Sequence, residues 1–187
     1  VTECNDGRLN DIRGLYVREE HVREALRLAE EGSPDFEEGA VGAGTGMCCL
    51  GFKGGIGSAS RCVELDGSEY TIGALVLSNF GEEGNLVIGG RHYGSELLPK
   101  VKERLKSDID SSLAKDKGSI IMLIATDIPL SSRQLERVAN RAAIALGRTG
   151  SYMGNGSGDI AIAFSTANRM PHYSEQSLLE MKVIHED

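Results

Sequence analysis

At Ser119 a polar stretch of mixed charge gives way abruptly to SIIMLIATDIPL, a continuous apolar run of strand length. Such a run is comfortable only in a sheet covered on both faces, so it calls for a buried strand with a layer on either side. The stretch before it ends KSDIDSSLAKDKG, a composition that favours an exposed, mobile connection following a short helix between residues 95 and 117. The two patterns meet at Gly118-Ser119.

The remaining elements are consistent with layers built around that strand. Residues 19–31 (EEHVREALRLAEE) place Val22, Ala25, Leu26 and Ala29 on one face of a surface helix, with Gly32 as its stop. In RCVELDGSEYTIGALVLSNFG the dipeptide Asp66-Gly67 separates two β-prone runs and predicts a hairpin. Pro129, then Ser131 with Gln134 three residues on, signal a helix start. That helix carries Leu135, Val138, Ala139, Ala142 and Leu146 inward and is expected to stop at Gly147. DIAIAFST alternates through Ile160, Ile162 and Phe164 and reads as another strand. Strands and helices interleave without a strict βαβ repeat. This predicts an α/β chain of the α+β kind, with sheets sandwiched between helix layers rather than a doubly wound parallel sheet.

With 187 residues, 40% hydrophobic and 26% charged, the chain has the length and composition of one soluble globular domain. It opens on Val1, not Met, and closes on the polar MKVIHED, as expected of an excerpt from a longer protein. A net charge of −8 without a basic block argues against nucleic acid as a partner. No stretch approaches the roughly 18 apolar residues of a membrane span, and the first residues lack a signal-peptide pattern. Cys4, Cys48, Cys49 and Cys62 show no CxxC spacing and no neighbouring histidine pair. They read as buried reduced thiols of a reducing, cytoplasmic compartment. The histidines at 21, 92, 172 and 185 are scattered, and no zinc site is visible.

Glycine concentrates in two places, 39–57 (GAVGAGTGMCCLGFKGGIG) and 147–158 (GRTGSYMGNGSG), where backbone must approach something closely. The first stretch fits neither phosphate-loop pattern: Lys53 follows Phe52, and a GxGxxG beginning at Gly42 would need glycine where Met47 stands. It reads as structural turns or close backbone packing around a site.

The junction at Gly118 and Ser119 is more informative. A hydroxyl residue directly after glycine, where an exposed segment becomes a buried strand, suits an intramolecular N-to-O acyl shift, because glycine tolerates the distorted backbone it needs. Once cut, Ser119 would carry a free α-amine, whose ordinary pKa of about 7.7–8.0 lets it serve as base for its own hydroxyl. Gly-Ser is equally common at the start of any strand. In GNGSGD, Asp159 with Ser157 could hold such an ammonium group and relay its proton, although Asn155, Ser157 and Asp159 also suit an ordinary exposed turn. Asn155-Gly156-Ser157 matches a glycosylation sequon, an accidental match in a cytosolic chain. Asn79 ends an apolar run, where a side-chain amide can serve as an oxyanion donor or simply terminate a strand.

Taken in order, NDGRLNDIRG, GAVGAGTGM, GFKGGIGSASR, the SNFG strand end, GSIIMLIATDIPL and RAAIALGRTGSYMGNGSGDIAIAFSTANR resemble the self-processing serine aminopeptidases. That family includes the L-aminopeptidase/D-amidase-esterases and the β-peptidyl aminopeptidases. The resemblance covers nearly all of the chain except the polar insert around 96–117. It implies an αββα sandwich like that of N-terminal nucleophile hydrolases but with its own connectivity. The precursor would be cut between Gly118 and Ser119, leaving residues 1–118 in one chain and 119–187 in the other, and the two would stay together. Ser119 would be the nucleophile, Ser157 and Asp159 the Ser-Gly-acid motif that holds its amine, and Asn79 the oxyanion asparagine. Asp159 stands where some relatives carry Glu. A tyrosine contributes to the site in some members, and Tyr16 and Tyr152 are the candidates here. Substrates would be short peptides, amides or esters, with no metal or cofactor and with processed pairs assembled into homo-oligomers. Family proteins continue beyond both ends of this chain, which therefore resembles a fragment of a longer precursor.

Two rival readings remain. An ornithine-acetyltransferase-like acyl transferase also self-cleaves, but threonine is expected where Ser119 stands. In a non-catalytic small-molecule binding domain, Ser119 would be an ordinary strand residue.

Overall fold

The computed structural model describes residues 4–32, 35–82, 84–105 and 118–186. Most of the polar connection, residues 106–117, lies outside them. In chain order come helix α1 (Glu19–Glu31), the short strands β1 (Cys48–Cys49) and β2 (Phe52–Lys53), and the long strands β3 (Gly55–Leu65) and β4 (Ser68–Asn79). Strands β5 (Val87–Ile88) and β6 (Arg91–His92), helix α2 (Gly94–Leu105), strand β7 (Ser119–Thr126), helix α3 (Ser132–Thr149) and strand β8 (Gly158–Ser165) follow. The central sheet has the order β3-β4-β7-β8. Its first two interfaces are antiparallel and the last is parallel. Parallel neighbours need a crossover, and α3 supplies it.

Local chemistry accounts for most element ends. Asp66 and Gly67, at φ 50° and 73°, form the tight turn between β3 and β4, the two positive values a primed hairpin turn requires. Gly32 caps α1 in the left-handed conformation, as expected. Ser131 and Gln134 form a reciprocal capping box at the start of α3. That helix passes through Gly147, its expected stop, and ends at Gly150, whose φ of 103° closes it. Glycine inside a helix costs only about 1 kcal/mol, so the residue with the left-handed geometry sets the end.

The first glycine-rich stretch is less loop and more strand than its composition suggests. Gly55 and Gly57 lie within β3, and β1 and β2 form a miniature hairpin before it. A side chain on Gly44 or Gly55 would collide with the carbonyl of Gly39, and one on Gly54 with that of Ser78. Close backbone packing is therefore the reason for these glycines. The Lys53 ammonium fastens the segment by donating to the carbonyls of Gly44, Met47 and Gly54 at 2.8–2.9 Å.

Pairing register sorts the sheet into two faces. Val76, Met122 and Ala161 lie abreast on the face covered by α3. There Ile120 and Met122 pack with Ala142 and Leu146 of α3 and with Leu50 and Phe80 to make the core. Leu77, Ile121 and Ile160 lie abreast on the opposite face. Phe164, one of the alternating residues that mark β8, is 45% exposed on that face. The described residues thus supply one helix layer and one sheet layer of a mixed α/β fold, and the second cover expected over β7 is not among them.

The cysteines differ from expectation in part. Cys4, Cys48 and Cys49 are half-buried, whereas Cys62 is exposed on β3. Cys62 falls in the solvent-facing part of the long hairpin, away from the core, so the rule that free thiols sit inside fails there.

Candidate active site

The register brings the ends of three strands together. Asn79 pairs with Ser119 across β4 and β7, and Ser119 pairs with Gly158 across β7 and β8. The last residue of one strand therefore meets the first residues of the other two, and Asn79, Ser119 and Gly158 share a face of the sheet. Gly118 and Ser119 are both half-buried.

Gly118 is held by close backbone contact. A Cβ there would lie 2.7 Å from both the Asn79 carbonyl oxygen and Phe80 Cα, so only glycine fits without a shift. Its own carbonyl accepts a hydrogen bond from the Gly158 backbone N–H at 3.0 Å. On the same strand end, the Ser157 hydroxyl donates to Asp159 Oδ1 at 2.6 Å. The two side chains that flank Gly158 are thus tied together around it.

Register also separates groups that the sequence grouped. Asp159 pairs with Ile120, which puts it on the helix side of the sheet, whereas Ser119 faces the other way with Gly158 and Asn79.

Asn79 is buried, and its side chain bridges two segments. Oδ1 accepts from the Cys48 N–H at 2.9 Å, and Nδ2 donates to the Asn5 carbonyl at 2.8 Å. One of its two amide hydrogens is therefore committed to the NDGRLND segment. That segment folds on itself through Asn10 Nδ2 and Asp6 Oδ2 at 2.5 Å, and Asp6 and Asn10 close over Gly46.

Both candidate tyrosines are exposed. Tyr16 is exposed with its ring against Gly14, and Tyr152 is exposed in the loop after α3. Asn155 is exposed in the turn before β8.

An apolar cleft of about 910 Å³ lies on the helix side of the sheet, with Val76, Met122, Leu86 and Leu146 among its walls. Ser119, Ser157 and Asp159 are not among them. Among the described residues, no three His, Cys, Asp or Glu side chains gather where they could hold a metal ion. No helix of these residues is long and apolar enough to cross a membrane.

Gly158 itself was not singled out by sequence reasoning. It sits between Ser157 and Asp159 in GNGSGD, and the signal available was that a strand opening on glycine presents its backbone rather than a side chain.

The model of peptidase family S58 matches residues 1–187. The β-peptidyl aminopeptidase BapA of Sphingosinicella microcystinivorans is 47% identical over 173 residues, covering 90% of this chain and 43% of that protein. BapA of Sphingosinicella xenopeptidilytica is 44% identical over 174 residues, covering 91% of this chain and 43% of that protein. Among solved structures, the L-aminopeptidase D-Ala-esterase/amidase of Ochrobactrum anthropi superposes with a TM-score of 0.80 at 43% identity, over 96% of this chain and 46% of that one. It is described as a prototype for the serine aminopeptidases and a new variant of the Ntn hydrolase fold. A β-aminopeptidase from Burkholderia sp. superposes with a TM-score of 0.77 at 37% identity, over 96% of this chain and 48% of that one. The chain spans a little under half the length of these relatives. The family resemblance read from the sequence holds, and the chain belongs to peptidase family S58.

Proposed function

We propose that this chain is part of a self-processing serine aminopeptidase that cuts itself between Gly118 and Ser119 and then hydrolyses N-terminal residues from short peptides, amides or esters. The observation that supports this best is the alignment of Asn79, Ser119 and Gly158 at one end of the sheet, with Gly118 fitted so tightly that only glycine is accommodated. The names of the relatives favour aminopeptidase chemistry, β-aminoacyl and D-alanyl substrates included.

In this reading the Ser119 hydroxyl attacks the Gly118 carbonyl, the bond to the Ser119 nitrogen breaks, and the nitrogen takes the hydroxyl proton. Water then releases residues up to 118 from the ester. The new α-amine serves as the base for the freed hydroxyl in turnover. Ser157 and Asp159, joined at 2.6 Å, hold that amine from the β8 side and steady its charged form. Asn79 presents its second amide hydrogen to the oxyanion of a bound substrate. The two products stay together, joined by the β4–β7 pairing, and further copies assemble into a homo-oligomer in the cytoplasm.

The test is turnover of aminoacyl and β-aminoacyl p-nitroanilides by the full-length protein. Asp159→Asn is expected to be processed and to lower kcat by about 10²-fold or more, the scale of a lost acid–base partner. Wild-type activity in processed Asp159→Asn would remove Asp159 from the site. Absence of any amidase or esterase activity in processed wild type would remove the hydrolase reading.

A further inference from the structure

We infer that the backbone N–H of Gly158 is the oxyanion donor of the self-cleavage step, an assignment that rests on the reading that Ser119 cuts the Gly118–Ser119 bond. When the Ser119 oxygen adds to the Gly118 carbonyl carbon, negative charge collects on the Gly118 oxygen. That oxygen already accepts the Gly158 N–H at 3.0 Å. A donor held by a strand before the reaction begins needs no reorganisation as the charge develops, which is the condition under which an oxyanion donor is effective.

Three observations point to this group. Asn79, the side-chain donor nearest in register, has one amide hydrogen on the Asn5 carbonyl and its oxygen on the Cys48 N–H. Its position in the uncut chain is therefore set by the backbone of other segments. The Ser157–Asp159 hydrogen bond spans Gly158 and fixes the strand end that carries the donor. A Cβ at Gly158 would meet only Ser119 Cβ, in ordinary contact at 3.7 Å, so crowding does not account for the position and its backbone N–H is what it offers the site.

The step is complete in its atoms. The Ser119 Oγ–C bond forms, the Gly118 C–N bond breaks, and the proton passes from Oγ to the departing nitrogen. Water then converts the ester to the Gly118 carboxylate and the free Ser119 hydroxyl. Gly158 exchanges no proton in this sequence. Its contribution is confined to the oxygen that carries the transient charge.

Replacing Gly158 by glycolic acid, through cell-free translation of the full-length chain with a suppressor tRNA, turns one amide into an ester and removes this N–H; the weaker acceptor it makes of the preceding carbonyl is shared by the control. The control is the hydroxy-acid analogue of isoleucine at Ile160, whose N–H is the next on β8 to face β7. Cleavage is followed by intact mass, and folding by circular dichroism. The ester at Gly158 is expected to slow cleavage by about 10²–10³-fold, and the ester at Ile160 by less than about tenfold. Equal rates for the two esters, or a wild-type rate for the first, would overturn the assignment.

Gly158→Ala keeps the N–H and places its Cβ in ordinary contact with Ser119, so it serves even if the ester disrupts folding. It is expected to cut within about tenfold of wild type, because an added methyl leaves the donor in place. A folded Gly158→Ala chain slowed more than a hundredfold would make the position one of space rather than hydrogen bonding, and the assignment would fall. A wild-type chain that never cuts, or a Ser119→Ala chain that does, refutes the Ser119 reading instead, so the two failures are distinct.

Discussion

At the scale of the residue, Gly118 is a position where a single methyl group would bear directly on the bond proposed to be cut. A Cβ would press on the Asn79 carbonyl and on Phe80 Cα at 2.7 Å, and both are backbone atoms of the strand end that faces Ser119. Gly118→Ala is therefore expected to destabilise the fold by about 1–3 kcal/mol, the usual range for overpacking, and to slow self-cleavage by displacing the carbonyl under attack. Thermal melts and the time course of intact mass check the two effects, and unchanged cleavage would refute the close fit. The cysteines allow a chemical test. Burial pushes the Cys49 thiol above its ordinary range, so the folded chain keeps that proton to higher pH than the unfolded chain does. The associated stability is intact below the ordinary thiol pKa of about 8.5 and is lost as pH rises through the raised value. Iodoacetamide at mildly alkaline pH, followed by peptide mass mapping, is expected to modify exposed Cys62 first and Cys49 late. Early loss of Cys49 would contradict its placement.

At the scale of the element, the β1–β2 hairpin plugs the core from outside the main sheet. Its tip residue, Leu50, is 2% exposed and adopts φ 50°, a left-handed conformation that costs a non-glycine residue roughly 1–2 kcal/mol. Its N–H donates to the Phe80 carbonyl at 2.8 Å, and its side chain packs in the core with Phe80 and Ile120. Burial outweighs the backbone strain. Leu50→Ala is expected to cost about 2–5 kcal/mol, measured by denaturant unfolding, and a loss below 1 kcal/mol would show that the tip does not seal the core. This element also marks the limit of what the sequence made legible. The start of β7 at Ser119, the Asp66-Gly67 turn and the Ser131 cap were readable because each is fixed by local chemistry. The strand character of Gly55 was not, because it depends on the Gly39 backbone closing over Gly55 and bridging to Ile56. The end of α3 was misplaced by three residues because two glycines compete for it, and only the left-handed one stops the helix. The roles of Lys53 and Gly158 lie in backbone contacts, which leave no side-chain pattern to read.

At the scale of the whole molecule, the described sheet has one covered face and one that carries exposed Leu75, Ile162 and Phe164. The chain spans a little under half the length of its relatives. Experiments on activity therefore belong on the full-length protein. The candidate site survives this division because its parts come from one sheet: β4 ends at Asn79, while β7 and β8 begin at Ser119 and Gly158. A cut before Ser119 falls at the edge of that sheet and leaves the β4–β7 and β7–β8 pairing from residue 119 onward in place. Two chains held by this pairing would remain one folded unit.

The most direct measurement is the intact mass and N-terminal sequence of the full-length protein beside Ser119→Ala. Wild type is expected to give two chains, one beginning SIIML and the other ending at Gly118, and Ser119→Ala a single uncut chain. A wild-type protein that folds and stays whole, or a Ser119→Ala variant cut at the same bond, would contradict self-cleavage by Ser119.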